Sequence, residues 1–408
     1  MSAPTLISWN LTRRCNLACG DCYLDAVLRK CECGNELTLP EAVRVVKEIA
    51  ELAPGAMLVL TGGEPLLRRD LDEIVMEAVH RGLMPVIGSN GLLLDEARAK
   101  RLREIGVTGV GISMDSITPE FHDRLRGRAG AWKEALAGMR VAQEAGLSVL
   151  MQTTIFEENR HQLAGFADLA SDVGALALNF FFLVCTGRGV TQTDLSPQIY
   201  EETLRDILVL QGARRNLMIR ARCAPYARRM VRRILGAQAG ESSACLAGRS
   251  YLRIGPKGEV TPCPYIPPAE SNVRGQPLRE IWETGTSFVR LRNEMPSGKC
   301  GGCDYRISCG GCRARALVTS GDLMAEDAKC GYFPTADTQP EKMPNSVAVA
   351  WEPEAQSLLE RIPGFVRGKV KSSLERKAGE AGIDSISVGF MREHRPVSLP
   401  FMKRITDA

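Results

Sequence analysis

The stretch Cys15-Asn16-Leu17-Ala18-Cys19-Gly20-Asp21-Cys22-Tyr23 directly follows an alternating apolar run, Leu6 to Leu11. Three thiols fall within eight residues, in the spacing Cys-x3-Cys-x2-Cys, with no evident fourth ligand beside them. Three cysteines can hold a [4Fe–4S] cluster and leave one iron open. An open iron can chelate a small molecule and pass it an electron. Zinc is the rival reading, although zinc sites more often use paired Cys-x2-Cys hooks with a distant second pair. A group of buried thiols packing as small hydrophobes is the other. The spacing favours iron–sulfur chemistry and leaves both alternatives open.

The second motif, Thr61-Gly62-Gly63-Glu64-Pro65, directly follows the apolar run Ala56 to Leu60, which reads as a buried parallel strand. Two glycines at a strand end let the backbone come close to a ligand, and Glu64 offers a carboxylate to a cation. Alone, the string is an ordinary strand-to-helix turn. One βα unit behind the cysteine loop, it resembles the radical S-adenosylmethionine (SAM) superfamily. The resemblance implies that Cys15, Cys19 and Cys22 carry the reducing cluster after the first strand. It implies equally that Gly62, Gly63, Glu64 and Pro65 form the turn that binds the amino group of SAM's methionine. Tyr23 matches the aromatic residue usual in that family after the third cysteine.

The rest of the N-terminal half repeats a βα rhythm. Expected strands are Thr5–Leu11, Ala56–Thr61, Pro85–Ser89, Gly109–Ser113, Ser148–Thr154 and Ala177–Val184. Expected helices alternate with them: one after a capping box of Thr38 and Glu41, then 70–81, 95–105, 131–145, 160–173 and 198–211. Six βα units with right-handed crossovers form a curved parallel sheet. Eight would close a full barrel, so six imply an α/β fold, a partial (β/α)6 TIM-like barrel. Chemistry in such sheets lies at the carboxyl ends of the strands. Cys15–Cys22, Gly62–Pro65, Ser89–Gly91 and Ser113–Asp115 all fall there.

The resemblance implies further SAM contacts. Ser113 matches a polar position near the ribose and carboxylate. Arg126 matches an arginine that pairs with the SAM carboxylate, a role an arginine fork suits. Asn90 and Gln152 are candidates for polar contacts. Arg188 is a candidate for the adenine end or for an anionic substrate.

A second cysteine array runs from Cys245 to Cys330. Gly258-x4-Cys263 follows Cys245, then Cys300-x2-Cys303-x5-Cys309-x2-Cys312, then Cys330. The array resembles the SPASM extension of radical SAM enzymes, which carries two auxiliary [4Fe–4S] clusters. By that resemblance the first cluster takes Cys245, Cys263 and Cys312, and the second takes Cys300, Cys303, Cys309 and Cys330. Together with the SAM-binding cluster this implies three [4Fe–4S] clusters and S-adenosyl-L-methionine as cofactors. The array departs from the family in one spacing: only Gly310 and Gly311 precede Cys312, where three residues are usual. The first cluster also lacks an evident fourth ligand, so either its iron is open or Cys223 reaches it. Zinc hooks remain the alternative. Cys31, Cys33, Cys185 and Cys223 are left over. The pair Cys31 and Cys33 reads as surplus thiols, or as a further metal or redox site.

The expected organisation is a barrel over 1–235, a cysteine-rich SPASM domain over 236–333, a linker over 334–346 rich in Pro, Thr and Asp, and a small, mostly helical module over 347–408. In the last, helical spacing at Ala355, Leu358 and Leu359 precedes a basic helix from Val366 to Ala381 and a β-like run, Ser385–Met391. The string from Trp351 to Arg367 resembles the C-terminal module of light-independent protochlorophyllide reductase, which lies by a tetrapyrrole. The opening string through Ala26 and the later Leu183-Val184-Cys185-Thr186-Gly187-Arg188-Gly189 resemble radical SAM proteins of heme biosynthesis, including the heme d1 side-chain enzyme and the siroheme- and coproheme-route enzymes. Arginines crowd 214–233, suiting a substrate with acetate or propionate groups, although a solvated helix face explains that run as well.

These resemblances imply an enzyme that cleaves SAM to a 5′-deoxyadenosyl radical and decarboxylates or removes a carboxylate side chain of a tetrapyrrole. They imply flavodoxin or ferredoxin as electron donor. Two other classes stay open. One is a maturase of a ribosomal peptide, disfavoured because no peptide-binding winged domain precedes the cluster loop. The other is a non-enzymatic metal or tetrapyrrole carrier. The chain has 408 residues, a net charge of +4 and 25% charged residues, so no polyanion such as nucleic acid is implied. No stretch has transmembrane length. Fourteen cysteines without a leader imply a reducing cytoplasm.

Overall fold

The computed structural model describes residues 3–26, 34–192, 194–235, 245–268, 271–335, 339–340, 349–362 and 364–394. All six expected strands are present: β1 (Leu6–Asn10), β2 (Met57–Thr61), β3 (Met84–Ser89), β4 (Gly109–Ser113), β5 (Ser148–Ile155) and β6 (Ala177–Phe182). Each pairs in parallel with the next. Between them run α1 (Leu39–Leu52), α2 (Leu71–His80), α3 (Glu96–Glu104), α4 (Pro119–Arg126), α5 (Ala131–Glu144) and α6 (Leu163–Asp172). The expected capping box starts α1: the Thr38 N–H donates to Glu41 Oε2 at 2.7 Å. Asp95 caps α3 by accepting from the Arg98 N–H at 2.7 Å. The short α4, begun by Pro119 and ended by a left-handed Gly127, was not among the expected helices.

The sheet extends beyond six strands at both edges. After α7 (Pro197–Ala213), β7 (Met218–Arg222) pairs in parallel with β6, and α8 (Ala227–Leu235) follows. At the other edge β8 (Tyr251–Ile254) pairs in parallel with β1, and β9 (Val260–Thr261) pairs antiparallel with β8. The nine-stranded order is β7-β6-β5-β4-β3-β2-β1-β8-β9. The cysteine-rich region is thus built onto the barrel sheet. β7 escaped the sequence reading because Ile219 is the only one of its five residues that is buried, with Arg220 and Arg222 on either side of a half-buried Ala221, so its apolar period is too short to register.

Strand side chains alternate between two faces. Ile7, Trp9, Leu58, Leu60, Val110, Ile112, Val149, Met151, Leu178, Phe180, Ile219, Leu252 and Ile254 all enter one core shared with the helices. Each fully buried aliphatic side chain there contributes about 1.5–3 kcal/mol. The alternate residues form the inner face: Ser8, Asn10, Thr61, Gly111, Ser113, Gln152, Asn179, Arg220, Arg222, Tyr251 and Arg253. Cross-strand hydrogen bonds join several of them. Arg253 Nε donates to Asn10 Oδ1 at 2.5 Å, and Arg222 Nε donates to Asn179 Oδ1 at 3.2 Å.

The cysteine-rich region adds α9 (Leu278–Thr284), α10 (Thr286–Asn293), α11 (Gly298–Gly301) and α12 (Arg313–Ser320). Trp282 and Phe288 reach the main core, while Ala247, Ile266, Leu291, Ala314, Leu323 and Met324 make a smaller one around Cys312. The C-terminal module has its own core of Val349, Ala355, Leu359, Leu374, Ala378, Ile386, Phe390 and Met391. There β10 (Ala350–Trp351) pairs in parallel with β11 (Ser385–Ile386), beside α13 (Pro353–Glu360), α14 (Gly364–Glu380) and α15 (Val388–Glu393). The expected β-like run Ser385–Met391 is corrected: only its first two residues are strand. Ser387 then accepts a hydrogen bond from the Phe390 N–H at 3.2 Å and starts α15.

Candidate active site

The loop after β1 carries Cys15, Cys19 and Cys22, and the turn after β2 grips it. The Gly63 N–H donates to the Thr12 carbonyl and the Glu64 N–H to the Arg14 carbonyl, each at 2.7 Å. A Cβ on Gly62 would lie 2.5 Å from Thr12 O, and one on Gly63 would lie 2.1 Å from Arg14 O. Gly62 also has φ +145°. The glycines therefore serve a backbone-on-backbone approach that places the cysteine loop, a reason the sequence reading assigned to a ligand. Pro65 is buried at the start of the 3-10 turn 65–67.

Glu64 is completely buried. Its carboxylate accepts from Ser89 Oγ at 2.9 and 3.0 Å, from the Asn90 N–H at 2.9 Å and from the Leu66 N–H at 3.1 Å. Burial outweighs those donors and pushes the carboxyl up to about 7. The group is poised to ionise fully when a cation arrives. Asn90 reaches back to the cluster loop, its Nδ2 donating to Asn16 Oδ1 at 2.7 Å.

Arg126 is nearly buried, and its fork is already engaged. One nitrogen pairs with Asp115, and Nη1 lies 3.4 Å from Cys19 Sγ. Arg188 sits in the turn 187–191 and clamps the cluster loop: it donates to the Cys19 carbonyl at 2.8 Å, the Ala26 carbonyl at 2.9 Å and Asp25 Oδ1 at 2.9 Å. Both arginines therefore act on the loop directly. Ser113 and Gln152 are opposite each other on β4 and β5 and face inward; the Gln152 amide lies where a Cβ on Gly111 would be, at 2.3 Å.

The three thiols of this loop act on one another electrostatically, and burial pushes Cys15 up to about 12. Buried thiols in such a setting ionise only beside a positive centre. Backbone N–H groups already point at the sulfurs: Leu17 at Cys15 and Ala26 at Cys22, both at 3.4 Å. Asn16 Nδ2 and Arg126 Nε are buried donors without a partner among the described residues. Soft thiols ringed by unsatisfied donors fit an iron–sulfur cluster, whose sulfides accept hydrogen bonds. Among the described residues, no three His, Cys, Asp or Glu side chains converge tightly enough for a single metal ion. A four-iron cluster, with each ligand on a different iron, takes a wider ring of thiols.

The second array divides into two such rings. Cys300, Cys303, Cys309 and Cys330 line one small cavity with Tyr305, Tyr332 and the backbone of Gly310 and Gly311. The Asp327, Tyr305 and Gly311 N–H groups lie 3.3 to 3.4 Å from the sulfurs of Cys300, Cys303 and Cys309. Cys245, Cys263 and Cys312 gather in the smaller core, and Cys223 stands with them. Gly310 and Gly311 have φ +66° and +70°. Two successive left-handed residues turn the chain sharply enough to send Cys309 to one ring and Cys312 to the other, so the shortened spacing suffices. Beside these rings, Arg313 Nε and Nη2 and Arg315 Nε are buried donors without a partner among the described residues.

Several pairings within the site carry no sequence signal. Asp115, fully buried, holds Arg126 and accepts from the Thr154 N–H at 2.8 Å. Asp327 and Arg315 form a buried ion pair at 3.3 Å between the two auxiliary rings. Only the fold brings these partners together. The arginine run divides in the fold: Arg220 and Arg222 lie on β7, facing inward, while Arg228 and Arg229 lie on α8. Among the described residues neither Arg220 nor Arg222 pairs with a carboxylate. Burial and the neighbouring Arg222 charge pull Arg220 down to about 10. Cys31 and Cys33 lie outside the described residues. Cys185 packs near Leu125, Phe156 and Leu183.

Residues 9–170 match the radical SAM superfamily, 245–304 the iron–sulfur cluster-binding SPASM domain, and 351–395 the proto-chlorophyllide reductase 57 kD subunit. The chain is 37% identical to the AdoMet-dependent heme synthase of Methanosarcina barkeri, over 82% of this chain and 98% of that one. It is 32% identical to the pre-heme d1 synthase of Dinoroseobacter shibae, over 82% and 87%. In fold it is similar to Streptococcus suis SuiB bound to S-adenosylmethionine, with a TM-score of 0.65 at 16% identity over 81% and 78%. At such identity over nearly the whole of its relatives, the chain belongs to the radical SAM superfamily and carries that superfamily's SPASM domain.

Proposed function

We propose that this enzyme uses SAM and [4Fe–4S] clusters to decarboxylate or remove a carboxylate side chain of a tetrapyrrole. Two of its relatives are named as synthases of heme and of pre-heme d1. The observation that carries the reading is the pair Arg220 and Arg222. Two guanidinium groups side by side on the inner face, without a carboxylate of their own, call for an anionic ligand. A planar fork binds a carboxylate through two parallel hydrogen bonds. The pair would hold an acetate or propionate group of the macrocycle.

Under this reading Cys15, Cys19 and Cys22 hold the cluster that binds SAM. Glu64 takes the SAM amino group, with Asn90, Ser113 and Gln152 lining the same end of the sheet. Cys245, Cys263 and Cys312 hold a second cluster, and Cys300, Cys303, Cys309 and Cys330 a third. When bound, SAM and its reduced cluster supply one-electron chemistry at an unactivated carbon. Flavodoxin or ferredoxin fits as electron donor. A reducing cytoplasm fits the twelve described cysteines, all free. No helix among the described residues is long and apolar enough to cross a membrane.

The test is anaerobic turnover of reduced protein with SAM and coproheme-, siroheme- or chlorophyll-type ligands, read by mass spectrometry of the macrocycle. One of them should lose a carboxyl group. The Arg220→Met/Arg222→Met double variant should weaken binding of that macrocycle at least tenfold while still cleaving SAM. If no macrocycle binds, or if the double variant binds it as tightly as the parent, the tetrapyrrole reading fails and a peptide substrate replaces it.

A further inference from the structure

The first auxiliary ring has three cysteines from the SPASM array, and a fourth thiol stands beside them from another part of the chain. Cys223 directly follows β7 of the barrel and packs into the same small core as Cys245, Cys263 and Cys312. We propose that Cys223 is the fourth protein ligand of the first auxiliary iron–sulfur cluster, so that every iron of that cluster is held by a cysteine. The inference rests on the cluster reading given above.

The backbone around Cys223 is built to aim its side chain. Cys223 has φ +57°, a left-handed conformation that a residue with a Cβ adopts only where its surroundings hold it. Its carbonyl is held from two directions: Tyr200 Oη and Arg315 Nη2 each donate to it at 2.9 Å. Tyr200 and Arg315 are themselves buried. Arg315 pairs with Asp327, and Asp327 Oδ2 accepts from the Cys312 N–H at 2.8 Å. One buried ion pair therefore fixes the backbones of two thiols that are 89 residues apart in sequence but belong to the same ring. An isolated structural cysteine needs no such clamp. Cys185, the other described surplus cysteine, has none and lies in a different packing cluster.

The arrangement divides the work at this end of the barrel. Complete thiolate ligation leaves the first auxiliary cluster no iron for substrate to bind. The neighbouring Arg222, one residue before Cys223 and on the inner face, is left to hold substrate by charge.

The test compares anaerobically reconstituted full-length parent with Cys223→Ala, Cys223→Ser and Cys185→Ala, all without tetrapyrrole. The readouts are iron and sulfide per chain and the electron paramagnetic resonance (EPR) spectrum of the reduced protein. Addition of SAM marks the signal of the catalytic cluster. Cys223→Ala should lose up to about four irons per chain or shift one signal that does not respond to SAM. Cys223→Ser, which keeps an oxygen ligand and the shape of the side chain, should retain more iron but shift the same signal. Cys185→Ala should match the parent. If both Cys223 variants keep the parent's iron, sulfide and every signal, the inference is overturned while the cluster reading stands. If the parent itself shows no signal beyond the SAM-responsive one, the cluster reading falls and takes the inference with it.

Discussion

Replacing Gly63 by alanine tests how the fold holds the cysteine loop. The φ of Gly63 lies outside the left-handed region, so alanine meets no conformational penalty and the effect is steric. The new Cβ would lie 2.1 Å from Arg14 O and 2.6 Å from the carbonyl carbon, both backbone atoms. Real Cβ contacts stay beyond 3.0 Å, so the strand-end turn and the cysteine loop must part by close to an ångström. That movement breaks the bonds from Gly63 N–H to Thr12 O and from Glu64 N–H to Arg14 O, both 2.7 Å. Two such bonds are worth about 1 kcal/mol each, and forcing a methyl into a packed site costs about 1–3 kcal/mol. The expected loss is about 3–5 kcal/mol. The assay is guanidinium unfolding of anaerobic protein, with iron content measured alongside. Gly63→Ala should lower the midpoint and cost the chain up to about four irons, the content of one cluster. Gly275→Ala, where an added Cβ meets nothing within 4 Å, is the control and should match the parent. A Gly63→Ala protein with the parent's midpoint and iron content refutes the argument that this contact places the loop.

The Cys15→Ala/Cys19→Ala/Cys22→Ala triple variant should lose about four irons and all SAM cleavage while keeping the auxiliary signals; cleavage at the parent's rate would place the catalytic cluster elsewhere. Because burial lifts Glu64 from its ordinary 4.5 to about 7, its contribution to stability is fully present below pH 4.5 and is lost as pH rises through about 7. An amino group must displace that proton to pair with Glu64, so SAM should bind on the order of tenfold less tightly at pH 6 than at pH 8. Glu64→Gln should bind weakly at both, and a flat pH profile in the parent removes Glu64 from the site. Asp115→Ala leaves the Arg126 charge buried without its partner and should cost about 3–5 kcal/mol, which unfolding midpoints would show; a midpoint within error of the parent's would mean the pair contributes nothing. Deleting 341–408 removes a module with its own core, so cluster content and SAM cleavage should survive while macrocycle affinity falls; loss of clusters would make the module part of the barrel's structure.

The sequence alone determined the parts of this protein that depend on local pattern. Six parallel strands, the capping box at Thr38 and the Cys15, Cys19 and Cys22 spacing are written in short-range pattern, because strand alternation, helix capping and a compact thiol loop each need particular residues a fixed few positions apart. The tertiary structure decided whatever depends on contacts between distant segments. It placed Arg220 and Arg222 on an edge strand facing inward, where a charge run in the sequence is equally compatible with a wet helix. It showed that Gly62 and Gly63 make the contact that seats the cysteine loop, since a Cβ there meets the backbone of Thr12 and Arg14. It brought Cys223 to Cys312, and Asp327 to Arg315, by folding the cysteine-rich region back against the barrel. A buried ion pair has no sequence period, because its partners are chosen by packing rather than by neighbours along the chain.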